Sequence, residues 1–293
     1  MLFTVFTPVF NRRDTIGRVW DSLRAQTCRD FEWVVVDDGS TDGVGDLLRT
    51  YAAQAPFPVQ LARQENGGKH IAWNRGVALA RGELFVPADS DDAFVPEALE
   101  RFRGHWLSIP EADRPSFSGV NVLCRDPETG EIVGNPFPRS PMVSHNLELA
   151  YLLRVRGEKW GCLRTRVLRE TPFPAAEVLR GTYVPESYVW YTVARKYRAL
   201  CVNDALRLYY RDAPNSLMTR RTAGGPLRRL TRNLPARYFF NRWNLCANLD
   251  YLKHDRKALF RTIVAAGASG LLAGSRVRRA LAALRGPKEM TSC

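Results

Sequence analysis

Four short runs of apolar and β-branched residues punctuate the N-terminal third of the chain: Leu2 to Val9, Phe31 to Val36, Val59 to Ala62 and Leu84 to Pro87. Segments with the apolar period of a helix lie between and after them, at Asp14 to Gln26, Val44 to Gln54, Lys69 to Ala80 and Pro96 to Trp106, the last opening on a proline. Runs this continuously apolar suit strands covered on both faces, so the alternation predicts an α/β fold with a mostly parallel sheet and helices on either side. Such sheets bind ligands beyond the carboxyl ends of their strands. The polar punctuation falls at those ends: "TPVFN", "DDGSTDG", "RQENGGKH" and "ADSDD".

Beyond Pro110 the pattern loosens into proline-rich loops ("NPFPRSP", "TPFPA"), with strands expected near Ser116 to Leu123 and Lys159 to Leu163, a helix over "ESYVWYTVARKY", and two short strands at "ALCV" and "LRLYY". After Ser216 the chain turns basic and amphipathic, in "RRLTRNLPARYFFNRWN" and "RVRRALAALRG", which reads as a C-terminal helical region. The expected division is a domain over 1–215, split into halves 1–108 and 109–215, followed by the basic region 216–293.

Composition sharpens this picture at few points. A chain of 293 residues can bury one large core or a core with an appendage. The net charge of +13 is uneven: residues 1–206 carry 25 Lys and Arg against 26 Asp and Glu, whereas residues 207–293 carry 18 against 4. Cys28, Cys124, Cys162, Cys201, Cys246 and Cys293 are scattered without a C-x-x-C pair or histidines at zinc spacing, the pattern of reduced thiols. No basic stretch precedes the first apolar run and no A-x-A pattern follows it, so no signal peptide is expected. No apolar stretch reaches the roughly 18 residues of a spanning helix; the best candidate, Ile263 to Ala273, is short and rich in Gly and Ala. A cytoplasmic protein is the expectation, with the basic region a candidate contact for the inner face of an anionic membrane.

The loops carry the chemistry. "DDGSTDG" makes a turn and helix cap, but the adjacent Asp37 and Asp38 exceed what a turn requires; a carboxylate at a strand end can accept from a uracil N–H or a ribose hydroxyl. "ENGGKHIAWNRG" places two glycines and Lys69 at a helix N-terminus, a setting that suits a diphosphate or simply a solvated loop. "ADSDD" gathers Asp89, Asp91 and Asp92. Ala93 and Phe94 stand where a calcium loop needs an oxygen ligand and a glycine, so Mg²⁺ or Mn²⁺ held by one or two carboxylates and substrate phosphates is the better match. Asp92 has a simpler role open to it, as a cap for the helix that starts near Pro96.

Together, "FTPVFNRRDTIGRVWDSLRAQTCRDFEWVVVDDGSTDG", "NGGKHIAWNRGVALARGELFVPADSDD" and, more weakly, "PESYVWYTVARKY" resemble the GT-A-fold glycosyltransferases of family 2, inverting enzymes that use nucleotide-diphospho-sugars. The resemblance covers about residues 2 to 210. It implies that 1–108 is the nucleotide-sugar-binding half and 109–215 the acceptor-binding half. It also implies that Pro8, Asn11 and Asp38 belong to the donor's nucleoside side, that Lys69 lies near the diphosphate, that Asp89 faces the ribose or the metal shell, and that Asp91 ligates Mn²⁺ or Mg²⁺ directly. The family usually carries an E-D pair four residues before a Trp, its Asp acting as base; counting back from Trp190, this chain has Glu186 preceded by Pro185. Glu is competent as a base, and a plain helix-start carboxylate is the alternative.

The implied reaction is single displacement, a β-linked product forming from an α-linked donor, in synthesis of a polysaccharide, glycolipid or other glycoconjugate. Two other functions compete: a nucleotidyltransferase making nucleotide sugars, whose Gly-, Arg- and Lys-rich N-terminal loop is missing, and a non-catalytic nucleotide-sugar-binding subunit. For the basic region, with Phe239, Phe240 and Trp243 among Arg237 and Arg242, and with Arg276, Arg278 and Arg279 further on, three readings compete. These are packing on the catalytic domain, docking on an anionic membrane that presents a lipid-linked acceptor, and nucleic acid, the last without any accompanying motif. The sugar and the acceptor have no readable code.

Overall fold

The computed structural model describes residues 1–212 and 233–273. Nine strands form a single sheet: β1 (Phe3–Val9), β2 (Phe31–Asp37), β3 (Val59–Arg63), β4 (Leu84–Pro87), β5 (Ala93–Phe94), β6 (Phe117–Arg125), β7 (Met142–Ser144), β8 (Lys159–Arg164) and β9 (Arg198–Leu208). Their order is β3-β2-β1-β4-β8-β6-β9-β5, with β7 also paired to β9. β3, β2, β1 and β4 run parallel, as the alternation of strand and helix requires. β8 then enters antiparallel between β4 and β6, and β6 and β9 form a further parallel pair.

Eight α-helices accompany the sheet among the described residues: α1 (Ile16–Arg24), α2 (Val44–Gln54), α3 (Lys69–Leu79), α4 (Ala98–Ser108), α5 (Thr165–Glu170), α6 (Ser187–Ala194), α7 (Leu234–Leu252) and α8 (Arg256–Leu272). One apolar layer fills the space between the sheet and α1, α2 and α4; a second lies on the other face, beneath α3, α5, α6 and α7. β2 is buried throughout, including Glu32, whose carboxylate accepts from Thr4 Oγ1 at 2.7 Å, Gln60 Nε2 at 2.6 Å and the Arg81 amide at 2.7 Å. That set of donors is what lets a charged residue stand inside a core strand.

The two short strands expected at "ALCV" and "LRLYY" are one continuous strand, β9. The polar pair between them does not break it, because both side chains have partners off the sheet. Asn203 exchanges hydrogen bonds with the backbone of Phe137, and Asp204 takes Arg101 and His105. The mismatch is absorbed as register shifts opposite Asn121 to Cys124.

Phe239 and Trp243 of α7 turn inward, with ring centroids 5.4 and 4.6 Å from Tyr188 of α6. The described part of the C-terminal region therefore packs on the helix layer of the sheet. The boundary expected at 215–216, and Arg276, Arg278 and Arg279, lie outside the described residues. Cys28, Cys124, Cys162 and Cys201 are buried free thiols, and Cys246 is half-buried.

Candidate active site

The carboxyl ends of β1, β2 and β4 bring three of the polar loops side by side. Asn11, just past β1, takes up φ = 52° and clasps the loop after β2: its Oδ1 accepts from the Thr41 amide at 2.8 Å and its own amide donates to Ser40 Oγ at 2.9 Å. Pro8 sits at the end of β1 in register with Val36. Asp38 is buried, and its carboxylate accepts from the Gly67 amide at 2.9 Å, the Gly68 amide at 2.8 Å and Gln64 Nε2 at 2.8 Å. Asp38 thus ties the glycine pair to the end of β2. Gly68, at φ = 91°, has to be glycine, because a Cβ there would stand 2.8 Å from the Thr182 carbonyl oxygen.

The clasp delivers Lys69, the first residue of α3, to the centre of the site. Its Nζ donates to Asp89 Oδ1 at 2.5 Å and to Glu186 Oε1 at 2.5 Å, joining the loop after β4 to the start of α6. Burial disfavours the ammonium, but Asp89 and then Glu186 outweigh it and hold Lys69 well above the usual lysine range. Burial likewise opposes the charge of Asp89, and Lys69 and Arg207 overcome it, keeping this carboxyl well below the usual carboxylate range.

The three carboxylates of "ADSDD" have different surroundings. Both oxygens of Asp89 are engaged, Oδ1 by Lys69 and Oδ2 by Arg207 Nη2 at 2.7 Å. Asp92 is buried against Arg207, which also donates from Nε at 2.8 Å, and it accepts from the Tyr210 amide at 2.9 Å. The expectation that Asp92 caps the following helix is therefore corrected: α4 starts at Ala98 without a side-chain cap, and the Leu99 amide is met by Gln26 Oε1 instead. Asp92 turns away from the helix because a buried guanidinium offers more than a helix N-terminus does.

Asp91 is the carboxylate short of counter-charge. Arg12 Nη2 stands 3.8 Å away, beyond hydrogen-bonding distance, and burial together with the neighbouring Asp89 raises the Asp91 pKa. A hard divalent cation would relieve that imbalance, so the residues fit Mn²⁺ or Mg²⁺ at Asp91 better than at Asp89. Among the described residues no three His, Cys, Asp or Glu side chains are grouped to enclose a metal, so an ion here would take its remaining ligands from water and substrate oxygens.

On the far side of Asp89 lies a cavity of about 260 Å³, lined by Pro87, Glu158, Trp160, Glu186, Trp190, Tyr191 and Arg207 among others. It adjoins Lys69 and runs beneath α6, on the face of the sheet built from β6, β8 and β9. Glu186 is the residue immediately before α6 and opens onto this space. Two residues here went unread in the sequence. Arg207 shows only as a lone cation in the apolar run of β9, and its partners lie 115 and 118 positions away. Glu158, whose pKa is raised by burial, offers no motif at all. His70, next to Lys69, is buried with neither ring nitrogen hydrogen-bonded, and burial pulls its pKa down to about 4.

Residues 4–164 match the model of the Glycosyl transferase family 2. An uncharacterized glycosyltransferase of Nostoc sp. is 38% identical over 101 residues, 34% of this chain and 31% of that protein. The teichuronic acid biosynthesis glycosyltransferase TuaG of Bacillus subtilis, a function assigned to it provisionally, is 28% identical over 58% of this chain and 63% of its own length. In both cases the match spans less than two thirds of the relative. Among solved structures, S. aureus TarS 1–349 with UDP-GlcNAc superimposes with a TM-score of 0.59 at 21% identity, covering 87% of this chain and 70% of that one. The mannosyltransferase PcManGT of Pyrobaculum calidifontis, with GDP-Man and Mn²⁺, gives 0.60 at 21% identity, covering 97% and 76%. At this identity the structures speak for a shared GT-A fold, and the family match extends over more than half of the sequence: the chain belongs to glycosyltransferase family 2.

Proposed function

We propose that this glycosyltransferase moves a sugar from a nucleoside-diphosphate sugar to an acceptor hydroxyl with inversion at the anomeric carbon. The observation that carries the reading is Lys69, whose ammonium meets Asp89 on the donor side and Glu186 on the cavity side at 2.5 Å each. A cation placed there faces the diphosphate, and a carboxylate at the mouth of the cavity faces an acceptor. UDP-GlcNAc with TarS and GDP-Man with PcManGT support the donor class.

In this mechanism Glu186 takes the proton of the acceptor hydroxyl as that oxygen bonds to the anomeric carbon. On the opposite face the bond to the diphosphate oxygen breaks and its electron pair leaves with the diphosphate, whose charge Lys69 offsets. The transition state is oxocarbenium-like, and an α-linked donor gives a β-linked product. Mn²⁺ or Mg²⁺ held by Asp91 would add counter-charge for the leaving group. Pro8 and Asn11 border the nucleoside; Asp38, with three of about four acceptor positions filled, has one left for a nucleoside N–H or hydroxyl. The acceptor belongs to a polysaccharide, glycolipid or other glycoconjugate made on the cytoplasmic side of a membrane.

The test is incubation with a panel of nucleotide sugars and Mn²⁺ or Mg²⁺, following nucleoside-diphosphate release and transfer. Slow donor hydrolysis, lost in Asp91→Ala and in EDTA, is expected; turnover unchanged by either would remove the metal role. Donor binding in a calorimeter with no turnover on any acceptor would instead mark a binding subunit.

A further inference from the structure

The residues of α8 divide into two opposed faces. Ala258, Leu259, Thr262 and Ser269 lie on the side packed against α7 and the core. At about 100° of turn per residue, Phe260, Ile263, Val264 and Leu271 fall on the opposite side, within an arc of about 100° that also contains Gly267. These four side chains are 68%, 51%, 50% and 82% exposed. A single exposed apolar residue is ordinary, whereas a stripe that recurs over three turns, interrupted only at Gly267, marks a surface meant to be covered.

The charges around the stripe indicate what covers it. The helix carries Arg256, Lys257 and Arg261 and no acid. Lys257 and Arg261 project about 60° and 100° from the middle of the stripe, and Arg256 lies at its N-terminal end. The sequence on either side of the helix is basic as well, with 18 Lys and Arg against 4 Asp and Glu over residues 207–293. Self-pairing through this face would bring no helix acid to those cations. No described helix is long and apolar enough to cross a membrane. Apolar side chains in one arc with cations along its border are what a helix needs to lie in the headgroup layer.

We infer that α8 docks flat on an anionic lipid bilayer, its Phe260–Leu271 stripe at the headgroup–acyl boundary and Arg256, Lys257 and Arg261 on the headgroups. The aromatic residues Phe239 and Trp243 of α7 take no part, because they are buried against α6.

The test floats the full-length protein with vesicles of phosphatidylcholine containing about 30% phosphatidylglycerol, and with phosphatidylcholine alone. Flotation with the anionic vesicles is expected, weakened by salt and about tenfold or more poorer with the neutral ones. Replacing Phe260, Ile263, Val264 and Leu271 together by serine keeps every cation, and is expected to lower partitioning by about tenfold or more. Because all four side chains are exposed, the circular dichroism melt and the donor turnover in solution should stay at wild-type values. Replacing Arg256, Lys257 and Arg261 by glutamine should remove the preference for anionic vesicles. Three results overturn the proposal: no flotation of the wild type with either vesicle; flotation of the serine variant equal to wild type, which assigns binding to charge elsewhere in the chain; or a wild-type dimer in sedimentation velocity that the serine variant dissolves, without flotation, which gives the stripe to a second copy.

Discussion

An ammonium held between two carboxylates, as Lys69 is between Asp89 and Glu186, cannot be removed without leaving like charges facing each other. Lys69→Met is therefore expected to weaken donor binding as well as turnover, the diphosphate having lost its cation. Glu186→Gln still accepts from Lys69 but cannot take a proton, so kcat should fall by about 10² to 10⁴ while the donor Kd stays within a few-fold. Calorimetry of donor binding beside steady-state rates separates the two. His70 gives a second expectation. Its pKa is about 4 in the folded chain against 6.5 for the free side chain, so the unfolded chain binds the extra proton. Stability from this group is intact above pH 6.5 and drains away as pH falls from 6.5 toward 4, by up to about 3 kcal/mol in all. His70→Leu should flatten that part of the urea-unfolding profile and leave the value at pH 7 little changed or higher. Asp89, Asp91 and Lys69, which the structure gathers in one place, stand out in the sequence because each lies in a polar break after an apolar run or at a helix start, whereas Glu186, which meets them there, is picked out only by the family resemblance. Arg207 is not picked out at all. Its role is set by where β9 falls beside the loop after β4, and nothing local encodes a meeting across more than a hundred positions.

The same distinction between local and distant information holds for the secondary-structure elements. β1 to β4 and α1 to α3 follow the sequence expectation to within about two residues at each end, since each is an apolar run or a helix-forming segment bounded by polar or turn residues; β3, at the edge of the sheet, is only partly buried. β9 departs from it because Asn203 and Asp204 look like a break until Phe137, Arg101 and His105 supply partners. α3 shows what close packing demands once the elements meet. A Cβ on Gly76 would stand 2.1 Å from Phe6 Cε2, so α3 lies on β1 at a distance only glycine allows. Phe6 is itself locked by Trp73 and Phe85, at centroid separations of 5.8 and 5.1 Å. Gly76→Ala must therefore push α3 outward, and with it Lys69 at the head of the helix. A loss of about 1–3 kcal/mol is expected by urea unfolding, together with weaker donor binding. Gly104 on α4 is the control, having nothing within 4 Å of an added Cβ; Gly104→Ala should be neutral or slightly stabilising.

At the scale of the molecule, the parallel half of the sheet supplies the loops proposed to hold the donor, and the mixed half supplies the cavity and Glu186, the proposed base. The halves join through β8, which pairs with both β4 and β6, and through Arg207, which reaches from β9 to Asp89 and Asp92. Arg207 is buried, and Asp89 and then Asp92 more than offset its desolvation, so it remains charged well above the ordinary arginine value. Removing one member of a buried pair strands the other. Burial already raises the Asp92 carboxyl to about 6 with Arg207 beside it, so Arg207→Met should cost about 3–5 kcal/mol, because Asp92 is left buried without its cation and must take up a proton or hold an uncompensated charge. If that stranded carboxyl is the cause, Asp92→Asn in the same chain should recover much of the loss, and the two substitutions should be strongly non-additive in a double-mutant cycle read by urea unfolding. Activity should follow a different course. Arg207 also fixes the outer oxygen of Asp89, so the double variant regains stability while its donor turnover stays low, since the loop after β4 no longer has its second anchor. Recovery of turnover in step with stability would mean that Arg207 serves the fold alone, with Lys69 sufficient to hold Asp89 in place.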